Sequence, residues 1–119
     1  MAGFRRNERI RRRVEYQAVY ERGTRVNGRL LTLFTLSNAL PVGRLGIAAT
    51  RKYGGAVARN RAKRLIREVF RRNKLAPGFD VVVVPKREML DASLTAVENE
   101  FRHTLERSLR RGSRPPQRL

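Results

Sequence analysis

Seven cations in fourteen residues (Arg59, Arg61, Lys63, Arg64, Arg67, Arg71 and Arg72) are the densest chemistry in this sequence. They follow Arg51-Lys52-Tyr53 and Gly54-Gly55, and they open on the run Arg59-Asn60-Arg61. Apolar residues at 62, 65, 66, 69 and 70 recur at the spacing of one helical stripe, which leaves the cations on the other side. A helix N-terminus carries unpaired N–H groups and partial positive charge, so it favours Asp, Glu, Ser or Asn. Here the entry is Gly-Gly-Ala-Val, Arg59 and Arg61 fall in or near the first turn, and the one carboxylate, Glu68, comes several residues later. Each misplaced cation costs a few tenths up to about 1 kcal/mol. An anion docked on the glycine entry reverses that sign, because amides, dipole and guanidiniums would all point at it. A solvated basic face would give the same charge count. The conflict with the dipole is what favours an anion site.

Chemistry of other kinds is missing. Ten carboxylates are spread along the chain without a pair placed for acid–base work, and Glu98 and Glu100 face different ways on a helix. The lone histidine, His103, sits among charges; no serine has an adjacent base, and there is no cysteine. Gly54-Gly55 lacks the Gly-x-x-x-x-Gly-Lys-Ser/Thr pattern of a nucleotide loop. Aromatic residues are present instead: Tyr16, Tyr20, Phe34 and Tyr53. Rings beside a cationic helix suit single-stranded nucleic acid, which stacks bases while cations follow its backbone. No zinc-finger or bZIP pattern argues for duplex DNA, so RNA is the favoured polyanion.

The elements that must hold these groups can be read from periodicity. After a basic arm at residues 1–6, a helix is predicted over Asn7 to Arg22, burying Ile10, Val14, Ala18 and Val19 and ending on Gly23 as a C-terminal cap. Tyr16 and Tyr20, one turn apart, share a face. Asn27-Gly28 marks a turn or bulge, and Leu30 to Leu36 reads as a strand with Leu30, Thr32, Phe34 and Leu36 on one face and Leu31, Leu33 and Thr35 on the other. In the strand Arg44 to Thr50, Leu45, Ile47 and Ala49 form a core face, while Gly46, Ala48 and Thr50 leave the opposite face bare. Either a neighbouring helix or a ligand strand could cover it. The basic helix runs from Ala56 to Asn73, and Pro77-Gly78 breaks the chain. Asp80 to Val84 is Val-rich without alternation, as in a parallel strand buried on both faces. A third helix, from Ala92-Ser93 to Arg110, carries the stripe Leu94, Val97, Phe101, Leu105 and Leu109, with Glu98–Arg102, Arg102–Glu106 and Glu106–Arg110 spaced for pairing. The chain thus reads as a single domain over 1–110 and a disordered basic tail over 111–119.

At 119 residues the chain suffices for one modest core, and its formal net charge of +18 is far more than solubility requires. Self-repulsion of that size points to a polyanionic partner, nucleic acid before membrane. No apolar run approaches the roughly 18 residues of a membrane span, and no secretory signal is evident. With no cysteine for disulfides, a cytoplasmic protein is expected, with no membrane partner.

Lys52 to Arg67 resembles the signature of the protein subunit of bacterial ribonuclease P, with Gly54-Gly55-Ala56-Val57, Arg59-Asn60-Arg61, Lys63-Arg64 and Ile66-Arg67 in that block. Glu15-Tyr16, Val19-Tyr20, Gly23, the Leu30–Leu36 strand, Arg44-x-Gly-Ile and the Asp80–Val84 strand fall in the same family's order. The resemblance implies an α+β fold, a two-layer α–β sandwich of order αβββαβα. It also implies a left-handed βαβ crossover, although such units are right-handed in about 98% of cases. It implies that the catalyst is an RNA, that the protein helps it remove the 5′ leader of precursor tRNA, and that Mg²⁺ used in hydrolysis is held mainly by RNA. Partners implied are the catalytic ribonuclease P RNA, one protein per RNA, and precursor tRNA. Carried over by position, Tyr16, Tyr20 and Phe34 would line the leader cleft. Arg51, Lys52, Arg59, Asn60, Arg61, Lys63, Arg64 and Arg67 would face RNA, with Gly54 and Gly55 allowing close backbone approach. The family often has Phe at the first two cleft positions, so the hydroxyls of Tyr16 and Tyr20 are a departure.

Two other function classes fit part of this pattern. A ribosomal or chaperone-like protein would bind RNA without any cleavage, and a protein nuclease would cleave alone. The missing acid–base pair argues against the second.

Overall fold

The computed structural model of the chain describes residues 6–74 and 76–112. In chain order it forms α1 (Arg13–Arg22), β1 (Thr24–Asn27), β2 (Leu31–Ser37), β3 (Arg44–Ile47), α2 (Ala56–Arg72), β4 (Phe79–Pro85) and α3 (Leu94–Gly112), with 3-10 turns at Arg6–Glu8 and Arg87–Met89. This is an α+β fold of order αβββαβα.

The strands make one sheet in the order β1-β2-β4-β3. β1 and β2 form an antiparallel hairpin joined through residues 28–30, with the Gly28 amide donating to the Leu31 carbonyl and Arg25 opposite Phe34. β2 and β4 are antiparallel, and β3 lies parallel to β4 with Arg44 beside Asp80. The β3–α2–β4 segment is thus a crossover between adjacent parallel strands, as the Val-rich run predicted. β4 is central and packed from both sides, with Val81, Val82 and Val83 fully buried, which is why its sequence does not alternate.

Leu31, Leu33, Leu45, Val81 and Val83 meet Ile66, Val69 and Phe70 of α2 and Val97, Phe101 and Leu105 of α3. Phe70 and Phe101 pack edge to face, their centroids 6.4 Å apart. Sheet and these two helices are the two layers of the sandwich. On the other face, Val19 and Tyr16 of α1 and the preceding Ile10 pack on Val82, Val84, Phe34, Leu36 and Ala48. At the hairpin end, the Glu100 carboxylate of α3 accepts the amides of Leu30 and Leu31, and Lys86 Nζ donates to the Gly28 carbonyl. These contacts fix the register of β1 and β2 from outside the strands.

Several sequence expectations are corrected. The first α-helix begins at Arg13 rather than Asn7. Before it, Arg9 bridges Leu45 in parallel and the Ile10 amide donates to the Leu45 carbonyl at 2.9 Å, extending the sheet past β3. Glu15 sets the start by accepting the amides of Arg12 at 3.0 Å and Arg11 at 3.3 Å, the reach-back half of a capping box. Val14 is exposed, so Ile10 and Val19 carry the burial. Gly23 does cap the C-terminus of this helix as expected, in an extended conformation with its amide donating to the Val19 carbonyl at 2.9 Å. A Cβ there would lie 2.3 Å from the Val19 carbonyl oxygen and 2.7 Å from that of Thr35, so the position needs glycine for close approach. Glu98 of α3 turns to Asn73 at 2.7 Å and to Arg72 at 3.7 Å, not to Arg102. α3 runs two residues past Arg110 to Gly112. Residues 1–5, within the expected arm, and 113–119, the rest of the expected tail, lie outside the described residues.

Candidate nucleic-acid interface

The entry of α2 is built as its sequence implied. Gly55 is the N-cap, no side chain caps the first amides, and the first turn has no acid. Nothing lies within 4 Å of where a Cβ of Gly55 would sit, and Val57 is 85% exposed. Arg51 and Lys52, both exposed, occupy the turn just before. This leaves bare amides beside a cluster of cations, the arrangement that accepts a phosphate.

The seven cations divide into two sets. Arg71 pairs with Glu68 and Arg72 reaches Glu98, at the end of the helix where positive charge is favourable. Arg59, Arg61, Lys63, Arg64 and Arg67 have no carboxylate in ion-pair reach among the described residues. Arg61 is nonetheless engaged, donating to the carbonyls of Leu90 at 2.8 Å and Ala92 at 3.1 Å. It ties α2 to the turn before α3, so its role in the fold was missed in the sequence. Arg59 lies 3.4 Å from the Gly54 carbonyl. Asn60, Arg64 and Arg67 line an open groove of about 420 Å³ together with Arg9. Lys63 and Arg67 line a second one of about 160 Å³, shared with Arg9, Tyr16 and Ile47. Arg9 lines both, a role that the helical period of the residues around it hides in the sequence.

The bare face of β3 receives Tyr16. A Cβ on Gly46 would fall 2.7 Å from Tyr16 Cε1, so the glycine is what lets the ring lie on the strand. From there the rings continue across the sheet: Tyr16 to Tyr20 at 6.5 Å, then Tyr20 to Phe34 at 5.0 Å, the latter edge to face. Tyr20 is 40% exposed. Burial raises the phenol pKa of both tyrosines above the ordinary value, so the row stays neutral near pH 7. The Arg25 guanidinium sits 5.9 Å from the centroid of Phe34. Arg25 carries no signal in the sequence: a two-residue turn at Asn27-Gly28 would set it opposite Leu30, whereas the observed register, with Asn27 opposite Thr32, sets it opposite Phe34. Tyr53, a candidate platform in the sequence, is instead buried in the core with α2.

Arg44 fixes α1, and so the rings, against the sheet. Its guanidinium takes Asp80 in a bidentate pair at 2.7 Å for both bonds and reaches Glu15 at 2.8 Å. The Arg12 amide, then Arg44 and the Arg11 amide, hold the Glu15 carboxyl below its ordinary pKa against the effect of burial. Glu8 is buried and paired with Lys74. Glu8, Glu15 and Asp80 thus brace the fold, while Arg59, Lys63, Arg64 and Arg67 of α2 have no carboxylate in ion-pair reach among the described residues.

A family model described as Ribonuclease P matches residues 4–109. The ribonuclease P protein component of Thermotoga maritima is 39% identical over 88 residues, covering 72% of this chain and 75% of that one. The solved ribonuclease P protein from Thermotoga maritima superposes with a TM-score of 0.77 at 32% identity, over 84% of this chain and 96% of that one. A Staphylococcus aureus RNase P protein mutant with defective mRNA degradation activity gives a TM-score of 0.80 at 30% identity, over 87% and 89% of the two chains.

Proposed function

We propose, from the premise that this chain belongs to the ribonuclease P protein family, that it binds the catalytic RNA and the single-stranded 5′ leader of precursor tRNA. In that role it assists RNA-catalysed endonucleolytic removal of the leader, one protein acting per catalytic RNA in the cytoplasm. The observation that carries this reading is the row Tyr16–Tyr20–Phe34 on one face of the sheet, bordered by Lys63 and Arg67, which have no acid in ion-pair reach among the described residues. Bases stack on such rings at about 1–3 kcal/mol each without strong sequence preference. The cations of α2 then meet the phosphates, and the amides at Gly55 take another.

The hydrolytic centre belongs to the RNA in this reading. Among the described residues no three of His, Asp and Glu come together as a metal site. Four carboxylates are engaged in the fold: Glu15 and Asp80 by Arg44, Glu98 by Arg72 and Asn73, and Glu100 by backbone amides. These residues do not fit a Mg²⁺ site, and Mg²⁺ is assigned to RNA phosphates. The protein contributes by binding the leader and by lowering repulsion where the two RNAs meet.

Reconstitution tests this. Purified protein, the catalytic RNA and precursor tRNA are mixed in all combinations at low Mg²⁺, and the 5′ product is sized. Efficient cleavage should need both protein and RNA, and should give the mature 5′ end. Cleavage by protein alone would make the chain a nuclease in its own right. RNA binding that never changes cleavage would reduce it to a binding module.

A further inference from the structure

We propose that Arg25, on the free edge of the sheet, holds a leader phosphate beyond the nucleotide stacked on Phe34. The bound strand would then run from the α2 groove across the whole sheet to β1. This rests on the reading of Tyr16, Tyr20 and Phe34 as the leader platform, and it adds a phosphate subsite at the platform's far end.

Four observations place the subsite. Arg25 and Phe34 are directly opposed in the β1–β2 ladder, so their side chains share the face on which Tyr16 and Tyr20 lie. The guanidinium is 5.9 Å from the Phe34 centroid, within the range where a ring holds a cation in place while its N–H donors remain available. Arg25 is exposed and has no carboxylate in ion-pair reach among the described residues. A second guanidinium converges on the same edge, since Arg111 of α3 donates to the Arg25 carbonyl at 3.3 Å. The row therefore has cations at both ends, Lys63 and Arg67 beside Tyr16 and Arg25 beside Phe34. A strand stacked on three rings carries a phosphate past the last of them, and Arg25 is where it would arrive.

An unpaired arginine on an edge strand also discourages sheet-to-sheet association. That role alone would leave RNA affinity untouched. The same guanidinium could instead meet a phosphate of the catalytic RNA, which would act without regard to the leader.

The test uses the reconstituted holoenzyme and precursor tRNAs whose leaders are shortened one nucleotide at a time, down to mature tRNA. With a long leader, Arg25→Ala should weaken binding by about fivefold and reduce the log–log salt slope by about 0.7, the change for one single-strand phosphate. Arg25→Lys should restore most of the affinity. The loss should disappear below a leader length at which Phe34→Ala still weakens binding. Equal loss with mature tRNA would assign Arg25 to the catalytic RNA and overturn the proposal. So would unchanged affinity for the long leader while Phe34→Ala shows a leader-dependent loss. If Tyr20→Ala and Phe34→Ala also lack any leader dependence, the platform reading itself fails.

Discussion

At Gly46 an added methyl would stand 2.7 Å from Tyr16 Cε1 and 2.9 Å from its hydroxyl oxygen, distances that carbon does not tolerate. Gly46→Ala therefore has to lift the ring off β3, and a clash of this kind costs about 1–3 kcal/mol. Urea unfolding should register that loss, and affinity for leader-bearing tRNA should fall while affinity for mature tRNA holds. Stability that is intact with leader binding unchanged would mean that the ring's seat is not part of the cleft. Glu15 offers a second test. Its carboxyl is held below the ordinary 4.5, first by the Arg12 amide and then by Arg44 and the Arg11 amide. A depressed carboxyl stabilises the fold above its unfolded pKa, and the contribution disappears as pH falls through the folded value. The urea midpoint of the protein should thus drop between pH 6 and pH 3. Glu15→Gln should begin lower and flatten that acid limb. Parallel acid limbs in the two proteins would remove Glu15 from the account.

Each helix and strand carries its own balance of packing and polar demands. α2 buries Ala62, Ile66, Val69 and Phe70, and its opposite side holds cations of two kinds. Arg61 bonds the carbonyls of Leu90 and Ala92, whereas Arg64 opens on a groove. Hydrogen bonds from a charged donor are worth about 1.5–3 kcal/mol when sheltered and less when exposed, as here. Arg61→Ala should lower unfolding stability by about 1 kcal/mol, and Arg64→Ala should leave it within about 0.5 kcal/mol. Both should reduce holoenzyme activity at low Mg²⁺; a stability loss in Arg64→Ala equal to that in Arg61→Ala would place Arg64 in the fold. Identical polar spacing hid this difference from the sequence, because the acceptors come from backbone some thirty residues away. α2, α3 and β4 were legible from their apolar periods, since a stripe or a Val run has one way to be buried. The start of α1 was not, because Glu15 decides it by taking two amides of a segment that otherwise reads as helix. The rings Tyr16, Tyr20 and Phe34 lie together in one row, which Tyr53 does not join. Burial of a tyrosine in the turn before α2 depends on the packing of that turn, which carries no period.

Over the whole molecule the two signs of charge are put to different uses. The formal charge of +18 leaves ten carboxylates for twenty-eight lysines and arginines, and the acids seen in ion pairs brace helix ends and strand edges. Arg59, Arg61, Lys63, Arg64 and Arg67 of α2 and Arg25 at the rim of the ring row have no carboxylate in ion-pair reach among the described residues, and their mutual repulsion adds up. A polyanion relieves that repulsion and releases its own counterions, so affinity must fall with salt. If roughly six phosphates of a single strand are engaged, the logarithm of the binding constant should decline against the logarithm of salt with a slope near −4. Arg64→Ala should lower the magnitude of that slope by about 0.7, and Tyr20→Ala should weaken binding at every salt concentration without changing it, because a stacked ring displaces no ions. Titration of a fluorescent single-stranded RNA across a salt series measures all three. A slope near zero would mean that stacking alone holds the strand. A slope unchanged by Arg64→Ala would move the phosphate contacts off α2.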